Sequence, residues 1–317
     1  MNNPGEVKPA GILIVGTGAL ATLFAARLAR AGESIIMLGT WKAGLEALRQ
    51  EGARLADAHG NVQSFKVVAT DDPRRCSGAQ CAIVLVKSWQ TTRAAGQLAD
   101  CLGEHSLAIT FQNGLGNREV LAHALGASRV ALGSTTTGAT LLGPGLVRAG
   151  GEGTVSIEQH AAARGLARAL QAAGFQVDIV EDARSLIWSK LVINAAINPL
   201  TALLRVPNGQ LLERPAARGL LRALAEETAS VAVAEKVNLA SGDLVGMVED
   251  VARRTASNHS SMFQDIQRGA PTEIDAICGA VARAGQRHNI PTPINRACWQ
   301  LVEALAQAPA NIAPRSA

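Results

Sequence analysis

The sequence predicts an α/β chain, a doubly wound parallel sheet followed by an all-helical C-terminal domain. Three observations carry this expectation. Short apolar runs alternate with helical spacing up to residue 182, a glycine-rich turn follows the first of those runs, and beyond 182 the strand signals fade while helical spacing continues. The length agrees, since 317 residues at roughly 100–200 per domain suggest two domains. The boundaries expected are 1–182 and 183–317.

Residues 1–10 are polar, contain Pro4 and Pro9, and read as a loose leader. Residues 11–15 form a short apolar run suited to a buried parallel strand. A glycine turn and a helix through Arg30 follow, closed by Gly32. Residues 34–38 are a second apolar run, completing a βαβ unit of about 30 residues. Further strands are predicted at 65–69, 81–86 (CAIVLV), 107–111 and 129–132, with helices at 89–102 and 117–125. Residues 146–158 and 175–180 read as strands that complete the layer. Helical spacing then marks 183–204, 210–238, 241–256, 272–288 and 293–307, and the alanine-rich tail from Ala306 is expected to fray. Pro199 lies inside the first of these helices and should bend or interrupt it.

Composition narrows the function. Apolar residues make up 48% of the chain, ample for two cores, which excludes disorder along its whole length. A net charge of +4 is mild and spread along the chain. It suits an anionic small molecule or a cofactor phosphate, and argues only weakly for nucleic acid. Aromatics are 3% and tyrosine is absent, so a stacking surface for single strands is disfavoured. Neither nucleic acid nor membrane is an expected partner. The apolar stretch 12–29 is interrupted by Gly16, Gly18 and Arg27 and reads as strand, turn and helix, not a membrane span. No secretory signal is apparent. The five cysteines lack a CxxC pair, which points to free thiols in a reducing, cytoplasmic setting. The six histidines do not cluster with carboxylates at ligand spacing, so no metal site is expected.

Gly16-Thr17-Gly18-Ala19-Leu20-Ala21 matches GxGxxG/A and stands between strand and helix inside a βαβ unit. Gly16 permits the tight turn, Gly18 lets a pyrophosphate approach the backbone, and Ala21 lets the helix pack on the strand. This is the fingerprint of a Rossmann-type dinucleotide-binding domain; the other reading is a tight structural turn. The second strand ends in Leu38-Gly39-Thr40-Trp41-Lys42, without the Asp or Glu that would hold a ribose 2′-hydroxyl. Thr40 can hydrogen-bond and Lys42 can meet a 2′-phosphate, which favours NADP(H) over NAD. A solvated surface lysine is the alternative for Lys42.

Further motifs bring a family into view. Val86-Lys87-Ser88-Trp89-Gln90 follows one strand, Gln112-Asn113-Gly114 the next, and Gly133-Ser134-Thr135-Thr136-Thr137 another. Then come Lys190-x3-Asn194-x3-Asn198-Pro199-Leu200-Thr201-Ala202, Pro207-Asn208-Gly209, Ser260-Ser261-Met262-Phe263-Gln264-Asp265 and Thr272-Glu273-Ile274-Asp275. In this order and spacing, over residues 11–300, they resemble the ketopantoate reductase (2-dehydropantoate 2-reductase) family. The resemblance implies that Gly16 to Ala21 hold the pyrophosphate. It places Lys87, Asn113, Thr140 and Glu273 at the cofactor, with Asn113 also touching substrate. It makes Lys190 the proton donor, and gives substrate contacts to Asn194, Asn198, Asn208 and the stretch Asn258 to Ser261, Ser260 included. The family often carries arginine where this chain has Thr40, a departure for which Lys42 can compensate.

The residues support such chemistry on their own. Lys190, Asn194 and Asn198 stand at i, i+4 and i+8, and each step of four drifts only ~40° around a helix, so the three share one face. The apolar residues between them require burial, and a buried row of lysine and amides is costly unless paired. A substrate cleft between the domains would pair it. A desolvated lysine can polarise a carbonyl and protonate the oxygen, while asparagines can donate to oxygens and accept from hydroxyls. Each residue has a plainer alternative: a snorkelling structural lysine at 190, an interhelical amide pair at 194 and 198, an N-cap at Ser261, a capping or surface ion pair at Glu273, a solvated loop lysine at 87.

The expected function is NADPH-dependent reduction of a 2-keto acid. 2-Dehydropantoate is the favoured substrate and (R)-pantoate the product, within pantothenate and coenzyme A synthesis. The alternatives are a related reductase of another 2-keto acid or an imine, and a regulatory protein that binds NADPH without turnover. The oligomeric state is left open, a homodimer being compatible.

Overall fold

A computed structural model describes residues 11–239 and 242–307. The expected leader at 1–10 and the tail beyond 307 lie outside the described residues. The described residues form two compact units. One comprises those up to Gln112 together with Asn117–Ala183; the other comprises Asn113–Gly116 with those from Arg184 onward.

The first unit carries twelve strands: β1 (Ile12–Val15), β2 (Ile35–Leu38), β3 (Ala53–Ala56), β4 (Val62–Phe65), β5 (Val68–Thr70), β6 (Cys81–Val84), β7 (Leu107–Thr110), β8 (Val130–Thr135), β9 (Ala139–Gly143), β10 (Leu146–Ala149), β11 (Thr154–Glu158) and β12 (Gln176–Val180). Its helices are α1 (Ala19–Arg30), α2 (Lys42–Glu51), α3 (Thr91–Cys101), α4 (Asn117–Leu125) and α5 (Arg164–Ala172). Eight strands form the main sheet in the order β12-β11-β8-β7-β6-β1-β2-β5.

The strands β1, β2, β6 and β7 (ILIV, IIML, CAIV, LAIT) are buried at every position, as expected of parallel strands covered on both faces. Side chains alternate between those faces. Ile12 and Ile14 join a core built around Phe24 and Phe175, while Leu13 and Val15 join another built on Leu98 and Leu121. In the first core Phe24 packs against Phe175 with ring centroids 4.5 Å apart. The buried Arg27 at the end of α1 lies over Phe175 and is held by Glu152 at 2.9 Å.

The expected doubly wound sheet and helical C-terminal region are both observed; the strands β8-β7-β6-β1-β2-β5 run parallel, and β11 joins them antiparallel to β8. Several local expectations need correction. The single strand expected at 65–69 is two, β4 and β5, in different sheets. The strand expected at 146–158 also divides, because Gly150, Gly151 and Gly153 break the run and β10 and β11 enter different sheets. A second sheet, β4-β3-β10-β9, and helix α2 were not anticipated.

The second unit is helical: α6 (Ala183–Leu204), α7 (Gln210–Glu213), α8 (Pro215–Ala234), α9 (Leu244–Arg254), α10 (Ser261–Gln267), a π-helical turn at Asp275–Gly279, α11 (Ala280–Arg287) and α12 (Pro293–Gln307). The helix expected over 210–238 is divided at Pro215, which starts α8 in the position where proline's missing N–H costs nothing. The helix expected over 241–256 begins outside the described residues and is seen from Leu244. The helix expected to begin at 272 opens with the π turn, and α12 remains helical through Gln307, past the Ala306 where fraying was expected.

Pro199 does not interrupt α6. Its missing N–H leaves the Ala195 carbonyl without its helical donor, and the Cys278 thiol supplies one, Sγ lying 3.9 Å from that oxygen. By length and composition α6 could cross a membrane, but much of it is packed inside the unit. Trp188, Leu191, Val192, Ala195, Ala196 and Leu200 form the centre of that core.

Candidate active site

The carboxyl ends of β1, β2 and β6 lie along one edge of the parallel sheet. Gly16 takes φ +131°, and its N–H donates to the Leu38 carbonyl at 2.8 Å. A Cβ at Gly16 would sit 3.1 Å from the Leu85 carbonyl, so only glycine fits without strain. Thr17 is buried, Ala19 and Leu20 half-buried, and Ala21 fully buried where α1 meets the sheet.

Gly18 is exposed and stands at the N-cap of α1 without a side-chain capping bond; the first turn holds no acidic residue. A Cβ there would meet nothing within 4 Å. The helix therefore presents free N–H groups and a positive dipole end to an open space, which fits a dinucleotide's pyrophosphate. Lys42 is the exposed first residue of α2. Lys87 is half-buried three residues past β6, with its backbone N–H donating to Gln90 Oε1 at 3.2 Å. Thr140 is half-buried on β9, an edge strand of the four-stranded sheet, and so is not on the main sheet.

Gln112, which the sequence reading names only as part of a motif, and Thr91 and Asn117, to which it assigns no role, fix the two ends of the 113–116 segment. Gln112 is buried; its Nε2 donates to Thr91 Oγ1 at 2.8 Å, and its Oε1 accepts from Thr110 Oγ1 at 3.0 Å. Thr91 Oγ1 in turn lies 2.8 Å from Asn117 Oδ1. The Gln112-Asn113-Gly114 motif was the only signal pointing to this network.

Within the second unit, Asn113 Nδ2 donates to Glu273 Oε2 at 3.0 Å. The approach depends on Gly114, at φ +81°, where a Cβ would come within 2.3 Å of the Ala276 carbonyl oxygen. The Leu115 N–H donates to that same oxygen at 2.9 Å. Glu273 is buried, which removes the surface ion-pair alternative. Lys190 on α6 is half-buried. Burial pulls its ammonium down to about 8, and the Glu273 carboxylate partly offsets that effect.

Asn194 is half-buried and Asn198 buried, on the Lys190 face of α6. Among the described residues their side-chain amides have no hydrogen-bond partner, so the interhelical amide pair is not formed. Asn208 is buried. Its Nδ2 donates to Thr255 Oγ1 at 2.8 Å and its N–H to the Asn258 carbonyl at 3.0 Å, while its Oδ1 has no partner. Asn258 and Ser261 are exposed. The cap of α10 is Ser260, so the N-cap alternative for Ser261 does not hold. Ser260 Oγ accepts from the Phe263 N–H at 3.1 Å and lies 2.7 Å from Thr201 Oγ1, which ties α6 to α10. Among the described residues no group of three His, Cys, Asp or Glu is placed to hold a metal ion, and all five cysteines are free and buried.

A doubly wound fold with a glycine turn at the start of α1, and a helical unit bearing a desolvated lysine, amides and a carboxylate, fit the class of nicotinamide-dependent oxidoreductases. Comparison with known proteins sharpens this. The model of ketopantoate reductase PanE/ApbA matches residues 12–162, and that of its C-terminal region matches residues 182–306. The chain is 35% identical over 302 residues to the 2-dehydropantoate 2-reductase of Halobacterium salinarum, covering 93% of this chain and 98% of that protein. It is likewise 35% identical to the same enzyme of Archaeoglobus fulgidus, over 92% and 96% of the two chains. The crystal structure of a PanE/ApbA family ketopantoate reductase from Ralstonia eutropha superposes with a TM-score of 0.86 at 31% identity, over 93% and 98% of the two chains. The chain belongs to the ketopantoate reductase (PanE/ApbA) family, and its chemistry is NAD(P)H-dependent reduction of the type that family performs.

Proposed function

We propose that this protein reduces 2-dehydropantoate to (R)-pantoate with NADPH, serving pantothenate and coenzyme A synthesis. The observation that carries the reading is Lys190: an ammonium brought down to about 8 by burial, on a helix face shared with Asn194 and Asn198. The curated relatives that match nearly the full chain carry this activity in their names.

The reduced nicotinamide supplies a hydride to C2 of the keto acid. The N-terminus of α1, with Gly16 to Ala21, holds the pyrophosphate; Lys42 meets the 2′-phosphate; Lys87 and Thr140 make further cofactor contacts. In the second unit Lys190 donates a hydrogen bond to the keto oxygen, which polarises the carbonyl, and passes its Nζ proton to that oxygen as C2 is reduced. A pKa near 8 suits this task, because the group is charged at neutral pH and releases its proton readily. Asn194 and Asn198 offer free amides to the substrate's oxygens and hydroxyls, and the unpaired Oδ1 of Asn208 can accept from a hydroxyl. Glu273 holds Asn113 in place, and its charge favours the protonated form of Lys190 against the larger effect of burial.

The test is a spectrophotometric assay of NADPH oxidation with ketopantoate, run beside a panel of other 2-keto acids and imines, and repeated with NADH. Turnover of ketopantoate at least an order of magnitude above the panel supports the reading. Turnover of another acid or imine alone would transfer the assignment to it, and tight NADPH binding without turnover of any compound would indicate a sensor.

A further inference from the structure

We infer that Trp41 is the platform on which the adenine base of the bound dinucleotide stacks, an inference that rests on the cofactor reading above. In a doubly wound nucleotide fold the adenosine ribose comes to lie beside the carboxyl end of the second strand. Here β2 ends at Leu38, and Gly39, Thr40, Trp41 and Lys42 follow. Trp41 is the N-cap residue of α2 and makes no side-chain capping bond. Although large and apolar, it is 40% exposed.

The indole is nevertheless fixed. It lies across Gly44, where an added Cβ would come within 2.3 Å of Trp41 Cε3 and 2.9 Å of both Cδ2 and Cζ3. Glycine is among the least favourable residues inside a helix, yet α2 carries one at its third position and the ring buries it. Gly44 is thus the seat of the indole, and any larger residue would displace the ring. A ring seated in this way and still open to solvent offers a low-entropy stacking surface, and every base has a face that can use it. The exposed Thr40 and Lys42 on either side supply a hydroxyl and an ammonium for the adenosine phosphate. Isolated exposed apolar residues are ordinary on protein surfaces. What sets Trp41 apart is its glycine seat at the strand end where adenosine binds.

Calorimetric titration of the full chain with NADPH, and with 2′,5′-ADP as the adenosine half alone, tests this. Trp41→Ala is expected to weaken both ligands by the same factor, roughly tenfold, and Trp41→Phe to restore most of the affinity. In the wild type, 2′,5′-ADP should quench part of the tryptophan emission, and that part should vanish in Trp41→Phe. Unchanged affinity of Trp41→Ala for 2′,5′-ADP, or undiminished quenching in Trp41→Phe, overturns the inference. Should Trp41→Ala fail to fold, the fluorescence comparison with Trp41→Phe decides. Wild-type binding of NADPH alongside such a negative result leaves the cofactor reading standing, whereas failure of the wild type to bind NADPH removes both.

Discussion

Asn113 and Glu273 are 160 residues apart in the chain and joined by a 3.0 Å hydrogen bond in the second unit. The carboxylate they share is buried and raises the pKa of Lys190 against the larger effect of burial. Glu273→Gln keeps an acceptor for Asn113 and removes the charge. The Lys190 ammonium then loses its counter-charge and deprotonates at lower pH. The pH profile of kcat/KM for ketopantoate reduction should show its alkaline decline displaced toward acid relative to wild type. A profile left in place would show that the Glu273–Lys190 interaction does not govern the reaction.

On the mechanism proposed above, Lys190 should set the wild-type profile. An acid is useful only while protonated, so turnover should be flat on the acid side and fall about tenfold per pH unit once the pH passes about 8. Lys190→Ala should lower kcat by roughly 10²–10⁴-fold, the usual range for a positioned general acid. Its affinity for NADPH, measured by nicotinamide fluorescence, should change little. A Lys190→Ala enzyme with near-normal kcat would remove this residue from the chemistry.

What the sequence made legible follows from burial. The tetrads ILIV, IIML, CAIV and LAIT are buried on both faces, so an unbroken apolar run announces each strand. The second sheet announces nothing of the kind. The VQSF of β4 is exposed apart from its last residue, and the ATLLG of β9 is at most half-buried, so neither shows the alternation that marks a half-buried strand. The site divides in the same way. Lys190, Asn194 and Asn198 are legible because one helix carries them at a spacing of four. The Asn113–Glu273 bond and the Thr91–Gln112–Asn117 network join residues distant in sequence, and no local pattern encodes such pairs. The N-cap alternative falls on Ser261 and the structure places the cap at Ser260, because two adjacent serines satisfy the same signal and only the backbone chooses between them.

Two glycines of the fingerprint should separate stability from binding. Gly16→Ala places a Cβ against the Leu85 carbonyl at φ +131° and should destabilise the protein by about 1–3 kcal/mol. Gly18→Ser meets no neighbour, and serine is a good helix N-cap, so thermal stability should hold or rise by a few tenths of a kcal/mol. The new side chain would fill the space left for the pyrophosphate, and NADPH affinity should fall by an order of magnitude or more. Urea denaturation and cofactor titration on the same samples check both. A Gly18→Ser protein that binds NADPH normally would place the phosphates elsewhere.

The same logic applies to the proline in α6. Pro199 withholds the N–H that the Ala195 carbonyl would otherwise accept, and the Cys278 thiol takes its place. Cys278→Ala should therefore cost about 1–3 kcal/mol, combining a small cavity with a buried carbonyl left without a donor. In a Pro199→Ala background residue 199 regains its N–H, and the carbonyl no longer needs the thiol. The cost of Cys278→Ala should then shrink by about 1 kcal/mol, a coupling measurable in a double-mutant cycle by urea denaturation. Additive effects would show that the thiol is only filling space, and that α6 tolerates its proline through the packing of Leu191, Ala195 and Leu200 alone.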